Sequence, residues 1–259
     1  MLTEQQFAEF NRYGVLRLPG AIVTGEAEAM CTEVWKCLER LYPLRRDQPE
    51  SWTNLRLSGF HALEKSITFE QVGSPAVCRI LDDLLGERRW QRPDRWGSLL
   101  VAFPESRDRW EVPHANWHLD LPSQSSREGM ALVRLFTCLA PLQHAGGGTL
   151  MLAGSHLLVE EIARSSAKRM SSADVRRILS RKNRWVKALC SNDGGDARIE
   201  RFMNRGSTAN GVKLRVTEMT GDPGDVFLVH PLILHAPATN CAAVPRIALS
   251  TYVYRNASE

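Results

Sequence analysis

The tetrapeptide Trp117-His118-Leu119-Asp120 places an imidazole and a carboxylate two residues apart. In an extended segment this spacing puts both side chains on one face, so that they can bind the same ion. A third ligand is available in His235, which ends the mainly apolar run 225–235. Two imidazoles and one carboxylate leave the other positions of an ion open, and this donor set favours non-haem Fe(II) that activates oxygen. We therefore predict that His118, Asp120 and His235 are metal ligands and catalytic residues.

The distance between the predicted ligands along the chain limits the fold. Because His118 and His235 lie far apart in the sequence, a local zinc knuckle cannot explain them, and the fold must bring early and late strands together. From residue 98 onward, short β-like segments alternate with Gly, Pro and polar turns, a pattern typical of a sandwich or barrel. We expect strands at 98–103, 117–121, 131–139, 149–152, 213–219, 226–235 and 246–254.

The first third of the chain has helical patterns instead. Thr3 and Gln6 form a capping box, and apolar residues recur at helical spacing further along. Since helices come first and strands later, we expect residues 1–97 to pack as helices on a β core within a single domain, 1–259. The predicted fold class is mainly β with flanking helices. The elements predicted in this part are a helix ending near Tyr13, a strand at 15–18, and helices beginning near Thr24 and at Pro75.

Length and composition are those of a globular protein. A chain of 259 residues, 43% hydrophobic and 24% charged, can bury one large core. Its net charge of +4 gives no reason to expect a nucleic-acid or membrane partner. The start of the chain has no signal-like region, and no apolar run approaches the ~20 residues of a membrane helix, so we expect a cytoplasmic protein. The six cysteines form no C-x-x-C pair and are expected to be buried free thiols.

A basic segment at about 157–212 interrupts the strand pattern. Over residues 158–217 there are fourteen Lys and Arg against six Asp and Glu. Such a charge run is usually a solvated surface insertion, and a helix is predicted within it at 174–184. The alternative is a lid that closes over an anionic substrate, because long connections in compact domains are often functional. Arg176, Arg177 and Arg181 are the candidate lid residues.

Several blocks of this sequence, taken in order, resemble the phytanoyl-CoA dioxygenase family. That family comprises Fe(II)- and 2-oxoglutarate-dependent oxygenases built on a double-stranded β-helix, the cupin type of jelly roll. The resemblance runs from end to end and is weakest in 43–97 and 157–212. It implies the same fold here, with Fe(II), 2-oxoglutarate and O2 as cofactors. The blocks are 2–20, 117–120, 146–156, 224–235 and 245–250.

The resemblance also assigns roles in binding the cosubstrate. Arg246 follows His235 at the spacing where the family places the arginine that binds the distal carboxylate of 2-oxoglutarate. A guanidinium suits this role because it is always charged and can bond a carboxylate through two N–H groups; the alternative is a surface salt bridge. Ser250 shares the strand face of Arg246 and leaves room beside it. Phe136 stands where the family often has a tryptophan near the cosubstrate, although an aromatic residue in a strand usually belongs to the core.

Two further positions bear on the reaction. Related halogenases lack a carboxylate at the position of Asp120, so its presence favours hydroxylation over halogenation. Pro237 stands where related enzymes often have a hydroxyl side chain that touches the cosubstrate, so the site is expected to hold 2-oxoglutarate with one bond fewer.

The expected activity is hydroxylation of an unactivated C–H bond in a small molecule, either an anionic compound or a secondary metabolite in biosynthesis. Trp110, His114 and Trp117 are the candidate substrate contacts. His230 is expected to be structural, on the opposite strand face from His235, and His156 to fix a Gly-Ser-His turn. Desaturation, cyclisation and endoperoxide formation by the same iron centre stay open, as does a non-catalytic cupin-like protein that binds metal and 2-oxoglutarate. The sequence leaves the oligomeric state open.

Overall fold

Helices and strands alternate along the chain largely as the sequence pattern indicates. A computed structural model describes residues 1–53, 57–105, 109–120, 130–166, 169–192 and 197–256. In chain order the elements are α1 (Glu4–Tyr13), β1 (Val15–Leu18), α2 (Thr24–Leu41), α3 (His61–Glu64), α4 (Pro75–Leu85), β2 (Ser98–Ala102), β3 (Leu132–Cys138), β4 (Leu150–Ala153), α5 (Ser155–Arg164), α6 (Ser172–Lys182), α7 (Arg184–Leu189), β5 (Ser207–Ala209), β6 (Val212–Glu218), β7 (Val226–Val229), β8 (His235–Ala236) and β9 (Arg246–Tyr254).

The strands form two antiparallel sheets. The larger has the order β1-β7-β3-β9-β2 and the smaller the order β5-β6-β4-β8. Strands from the start of the chain pair with strands from its end, as β1 does with β7 and β2 with β9. Two facing sheets with this long-range pairing are the arrangement of a jelly roll. The predicted fold class, mainly β with flanking helices on a double-stranded β-helix, is confirmed.

Each face of the larger sheet has its own core. Because side chains alternate along a strand, Ile247 and Leu249 of β9 point outward and pack with buried residues of α2 and α4. The opposite face of the sheet looks into the space between the two sheets. There Phe136, Met151 and Phe227 belong to a smaller apolar cluster. One end of this space holds the predicted metal ligands.

The N-terminal predictions are confirmed in detail. The Thr3 side chain accepts a bond from the Gln6 backbone, the Gln6 side chain accepts one from the Thr3 backbone, and Gly14 ends α1 with a φ of 73°. The helix from Thr24 is present, and the helix from Pro75 begins after Ser74, whose hydroxyl accepts a bond from Val77 N. Within the described part of the chain, no helix combines the length and the apolar character needed to cross a membrane.

The described part of the basic segment is mostly helical, and its helices pack on the outer face of the smaller sheet. Leu150 and Leu152 of β4 share a buried cluster with Val159, Val175 and Val186 of α5, α6 and α7. The predicted helix at 174–184 is present as α6 and the start of α7; Asn183 separates them and caps α7 with its side chain. The apolar side of the segment is therefore anchored in the core.

Two strand predictions are wrong. In the stretch 117–121 only His118 pairs with another strand, through a bridge to His235, and residue 121 lies outside the described residues. The chain turns just before this bridge, at Asn116, which has a φ of 62°. The run 226–235 is divided into β7 and β8 by a turn, because Pro231 has no N–H to continue the ladder and Ile233 N bonds His230 O at 3.0 Å.

Candidate metal centre

His118, Asp120 and His235 converge at one end of the space between the sheets. Asp120 Oδ1 lies 3.5 Å from His118 Nε2 and 3.3 Å from His235 Nε2. The three ligand atoms all lie within 4.8 Å of one another. One ion at the bond lengths of about 2 Å that first-row metals make with such ligands can therefore reach all three. The structure brings together the three residues that the sequence singled out.

The two histidines are brought together by backbone pairing. His118 N donates to His235 O at 2.9 Å, and His235 N donates to His118 O at 3.0 Å. Residues paired in this way across two antiparallel strands project their side chains to the same face, and the ring centroids lie 4.3 Å apart. On its other side, β8 pairs with β4, where Met151 lies opposite His235. The segment that carries His118 therefore extends the smaller sheet at its edge.

Both rings are oriented through Nδ1. His118 Nδ1 lies 2.7 Å from Asn116 O, and His235 Nδ1 lies 3.2 Å from Ile233 O. A carbonyl accepts only, so each Nδ1 carries a hydrogen, and Nε2 is the ring atom of each histidine that faces the site. Asn116 holds its carbonyl in this place from a left-handed conformation, which Asn tolerates better than most residues.

The charges at the site suit a cation. Burial alone would raise the pKa of Asp120, but its bonds to His118 and His235 and the charge of Arg134 outweigh burial and hold the pKa well below the usual range. The pKa of His118 is raised, mainly by its bond to Asp120. Asp120 is therefore ionised at neutral pH, and it attracts positive charge to the position between the two Nε2 atoms.

Arg246 begins β9 and points into the space between the sheets with its charge incompletely paired. Its Nη1 donates to Gly147 O at 2.6 Å, while its Nε is buried without a partner among the described residues. Burial lowers the pKa of Arg246 to about 10, and no carboxylate in the described part of the chain forms an ion pair with it. A buried cation with N–H donors that lack partners is stabilised when an anion binds to it. The distal carboxylate of 2-oxoglutarate fits this requirement.

Phe136 and Ser250 lie side by side on the face of the larger sheet that looks toward the site, in the register Phe136↔Ser250. Phe136 is buried in the cluster between the sheets. Ser250 Oγ accepts a bond from Arg134 Nε at 2.8 Å. Both residues therefore border the site, and their contacts with the cosubstrate stay predictions.

The sequence reasoning missed Arg134 and Tyr252, which also face the site. Arg134 Nη1 contacts Asp120 Oδ2 and lies 3.1 Å from His235 Nε2. Burial, opposed by the Arg134 charge and aided by Asp120, raises the pKa of Tyr252. The sequence could have indicated Arg134, because it lies two residues before Phe136 in β3 and therefore shares the strand face of that residue.

Of the three candidate substrate contacts, the two tryptophans are buried in the core. Trp117 is 1% exposed and packs in the cluster of the smaller sheet and its helices, with Nε1 donating to Pro113 O at 2.8 Å. Trp110 belongs to the same cluster and packs against His144. These positions argue against substrate contacts by the two tryptophans. Trp117 lies on the opposite side of the chain from His118, as adjacent residues of an extended segment do. His114 is exposed.

Two further histidines, His156 and His230, lie away from the metal ligands; His156 is buried and His230 is mostly buried. His156 lies in the first turn of α5, so the prediction that it ends a turn is wrong, and its Nε2 contacts Asn11 O at 3.0 Å. His230 lies in the turn between β7 and β8, with its ring 4.7 Å from that of His156. Burial and the neighbouring His156 lower the pKa of His230 to about 3.

A cavity of about 330 Å³ opens beside Arg134 and is lined by Ser98, Ser250 and Tyr252 among others. The three proposed metal ligands are not among its lining residues. A larger cavity, of about 590 Å³, lies at the opposite edge of the two sheets, between β1 and β6.

Comparison with known proteins agrees with the fold and the site. The family model for phytanoyl-CoA dioxygenase (PhyH) matches residues 10–248. A search of curated proteins found no match. The epimerase SnoN, solved in complex with Fe3+, alpha ketoglutarate and nogalamycin RO, has a TM-score of 0.56 and 16% identity over 98% of this chain and 83% of that one. HygX from Streptomyces hygroscopicus, with nickel and 2-oxoglutarate bound, has a TM-score of 0.56 and 16% identity over 98% of this chain and 88% of its own. The carbocyclase SnoK from nogalamycin biosynthesis has a TM-score of 0.55 and 15% identity over 99% of this chain and 85% of that one.

At these identities the solved structures show a shared fold. The fold, with a donor set that leaves an ion open positions and a buried arginine suited to a carboxylate, defines the class of iron- and 2-oxoglutarate-dependent oxygenases. The family model covers most of the chain. The chain belongs to the phytanoyl-CoA dioxygenase family.

Proposed function

We propose that this protein is an Fe(II)- and 2-oxoglutarate-dependent dioxygenase that hydroxylates an unactivated C–H bond of a small molecule. The observation that carries the proposal is the convergence of two Nε2 atoms and one carboxylate oxygen within 4.8 Å. These three donors meet an ion from one side and leave its other positions for the cosubstrate and oxygen. We further propose that residues 1–259 act as one oxygenase domain.

His118, Asp120 and His235 would hold the iron. When bound, iron and 2-oxoglutarate supply the oxidising chemistry, and the protein supplies binding, orientation and a dry site. Arg246 would bind the far carboxylate of 2-oxoglutarate through the donors that the Gly147 carbonyl leaves free. Its burial strengthens this interaction, because little water competes for the guanidinium.

Hydroxylation is the outcome that the ligand set favours. Asp120 takes the position that related halogenases leave for a halide, so transfer of oxygen is expected instead. SnoN and SnoK are described as an epimerase and a carbocyclase, so this fold also serves other oxidative outcomes. Desaturation, cyclisation and endoperoxide formation are therefore the competing hypotheses for the product, and mass analysis of the product separates them.

The proposed substrate is a small molecule that carries an anionic group or is a secondary metabolite. SnoN was solved with the small molecule nogalamycin RO. In this chain the cavity of about 330 Å³ beside Ser250 and Tyr252 can admit part of a molecule of that kind.

Release of succinate tests the proposed activity. Protein loaded with Fe(II) under anaerobic conditions is mixed with 2-oxoglutarate, oxygen and a pool of candidate metabolites. We expect succinate formation that depends on the pool and stops in His118→Ala. Lys36→Met is a matched control, because Lys36 forms an exposed ion pair with Glu33 on α2, outside the basic segment. Unchanged turnover in His118→Ala would reject the site, and binding of 2-oxoglutarate without succinate would favour the non-catalytic alternative.

A further inference from the structure

Arg134 contacts a proposed metal ligand without belonging to the ligand set. It lies on β3, and its side chain is 13% exposed. Its Nη1 donates to Asp120 Oδ2, and its Nε donates to Ser250 Oγ at 2.8 Å. The guanidinium also lies 4.2 Å from the ring centre of Phe136 and 5.1 Å from that of Tyr252. These contacts hold the guanidinium plane in one orientation beside Asp120.

The two oxygens of Asp120 consequently have different partners. Oδ1 faces the two imidazoles, 3.5 Å from His118 Nε2 and 3.3 Å from His235 Nε2. Oδ2 is held by Arg134. A carboxylate can bind a cation through one oxygen or through both. An oxygen that already accepts a charge-assisted bond from a guanidinium is held in place and is less available to a metal.

We propose that Arg134 is a positioning residue of the metal centre: by holding Oδ2, it makes Asp120 bind the ion through Oδ1 alone. This keeps open a coordination position that a two-oxygen carboxylate would fill. The inference rests on the proposed function, since it concerns the ion that His118, Asp120 and His235 would hold. It also explains why Ser250 carries a hydroxyl, because that oxygen anchors the second arm of the guanidinium.

An arginine suits this role better than a lysine. Its planar fork bonds Asp120 and Ser250 at the same time and stacks on aromatic rings, whereas an ammonium group is a single point of charge. Metal affinity alone is a poor measure of the role. Loss of Arg134 removes a support of Asp120, which weakens binding, but it also removes a positive charge next to the ion, which strengthens binding. The number of ligands that Asp120 supplies is the direct measure.

The test counts the water molecules on bound Mn²⁺ by the broadening of its EPR lines in water enriched in ¹⁷O. We expect wild type to retain water at all the positions that three single ligands leave open. Arg134→Met keeps the apolar length of the side chain but has no donor, so we expect one water fewer. 2-Oxoglutarate should then bind the Mn²⁺-loaded variant at least about tenfold more weakly, the scale found for residues that support metal ligands.

Arg134→Lys and Arg177→Met are the matched variants. The lysine can still donate to Oδ2, so it should restore the wild-type water count, and Arg177→Met should not differ from wild type. If Arg134 has only a structural role, Arg134→Met should have a lower melting temperature but an unchanged water count and an unchanged affinity for 2-oxoglutarate. That result would overturn the proposal. A wild-type count that is already one water short would also overturn it, even if Arg134→Met fails to fold. Failure of the proposed function looks different, since wild type would then bind no Mn²⁺ in competition with Fe(II) or release no succinate.

Discussion

At the scale of single residues, Arg246 is a mostly buried cation whose described contacts include one carbonyl and no carboxylate. Such a group is costly in the protein alone and is stabilised when an anion binds. Removal of the charge should therefore lower the affinity for 2-oxoglutarate but raise the stability of the protein alone. This opposition separates a binding residue from a structural one.

Arg246→Met is expected to weaken 2-oxoglutarate binding by about 1.5–3 kcal/mol, the usual value of bonds to a charged group, or roughly 10- to 150-fold. The same variant should raise the free energy of unfolding of the protein alone by about 1 kcal/mol, because an incompletely paired buried charge is removed. Calorimetric titration of 2-oxoglutarate and urea unfolding measure the two effects. Unaltered affinity for 2-oxoglutarate would remove Arg246 from the site.

His230 makes the stability of the protein depend on pH. Its pKa is lowered to about 3 by burial and by His156, although the Glu160 carboxylate lies 3.4 Å from His230 Nε2 and would favour the proton. An unfolded histidine has a pKa of about 6.5. Between these values the unfolded chain binds a proton that the folded chain does not, so stability is complete above the unfolded pKa and falls as the pH falls.

We therefore expect the free energy of unfolding to decrease by up to about 1.4 kcal/mol per pH unit from this histidine as the pH falls from about 6.5 toward 3. His156, whose pKa is also lowered by burial, adds to the slope. Urea unfolding at a series of pH values measures it, and His230→Gln should show a shallower slope than wild type. Parallel slopes would show that His230 is protonated in the folded protein.

At the scale of elements, the basic segment holds the strip of chain that carries His118 and Asp120. Leu119 N donates to Ser172 Oγ at 2.8 Å, and Arg176 Nη1 donates to Trp117 O at 3.0 Å, both from α6. Arg198 is 3% exposed. It donates to five backbone carbonyls, those of Val112, Pro113, Ala188, Leu189 and Ser191. These contacts indicate that the basic segment is a scaffold for the metal ligands and not a lid. Arg176 in particular bonds a backbone carbonyl of the strip.

Removal of these contacts should weaken metal binding. Ser172→Ala leaves Leu119 N without its acceptor, and Arg176→Met frees the Trp117 carbonyl, at a cost of about 1–3 kcal/mol each in the free energy of unfolding. We expect both variants to bind Mn²⁺ more weakly than wild type, as measured by calorimetry. Arg177→Met, on the same helix but paired with exposed Asp174, is the control. A lid would behave in another way, with substrate affinity reduced in the arginine variants and metal affinity intact.

At the scale of the whole molecule, the metal centre joins parts of the chain that are distant in sequence. His118 belongs to the strip held by α6, whereas His235 lies in β8, which pairs with β4 of the smaller sheet. Asp120 is in turn linked to the larger sheet through Arg134 of β3. An ion that binds all three ligands therefore stabilises the folded chain and has no equivalent site in the unfolded chain.

Saturation with Mn²⁺ should accordingly raise the free energy of unfolding, by about 2.7 kcal/mol when the free ion is at a hundred times its Kd. Thermal unfolding with and without Mn²⁺ measures the effect, and a chelator should reverse it. His235→Ala should lose most of the shift, whereas Arg177→Met should keep it. An equal shift in His235→Ala would place the ion elsewhere on the protein.

The sequence by itself determined the parts of this protein that depend on local or repeating patterns. The capping box at Thr3, the end of α1 at Gly14 and the alternation of faces along β9 are short-range effects, and they occur as predicted. The donor types of His118, Asp120 and His235 predicted a metal site, and resemblance to a family added the double-stranded β-helix and the cosubstrate.

Only the tertiary structure decided what those residues touch. The parity of β3 places Arg134 on the inner face, but its contact with Asp120 depends on how the segment of His118 and Asp120 lies against the larger sheet. Likewise only the folded chain shows that Trp117 packs into the core beside the smaller sheet and that His235 lies opposite His118. These outcomes depend on contacts between elements far apart in the chain. A strand pattern specifies a face for each side chain and does not specify the partner across it.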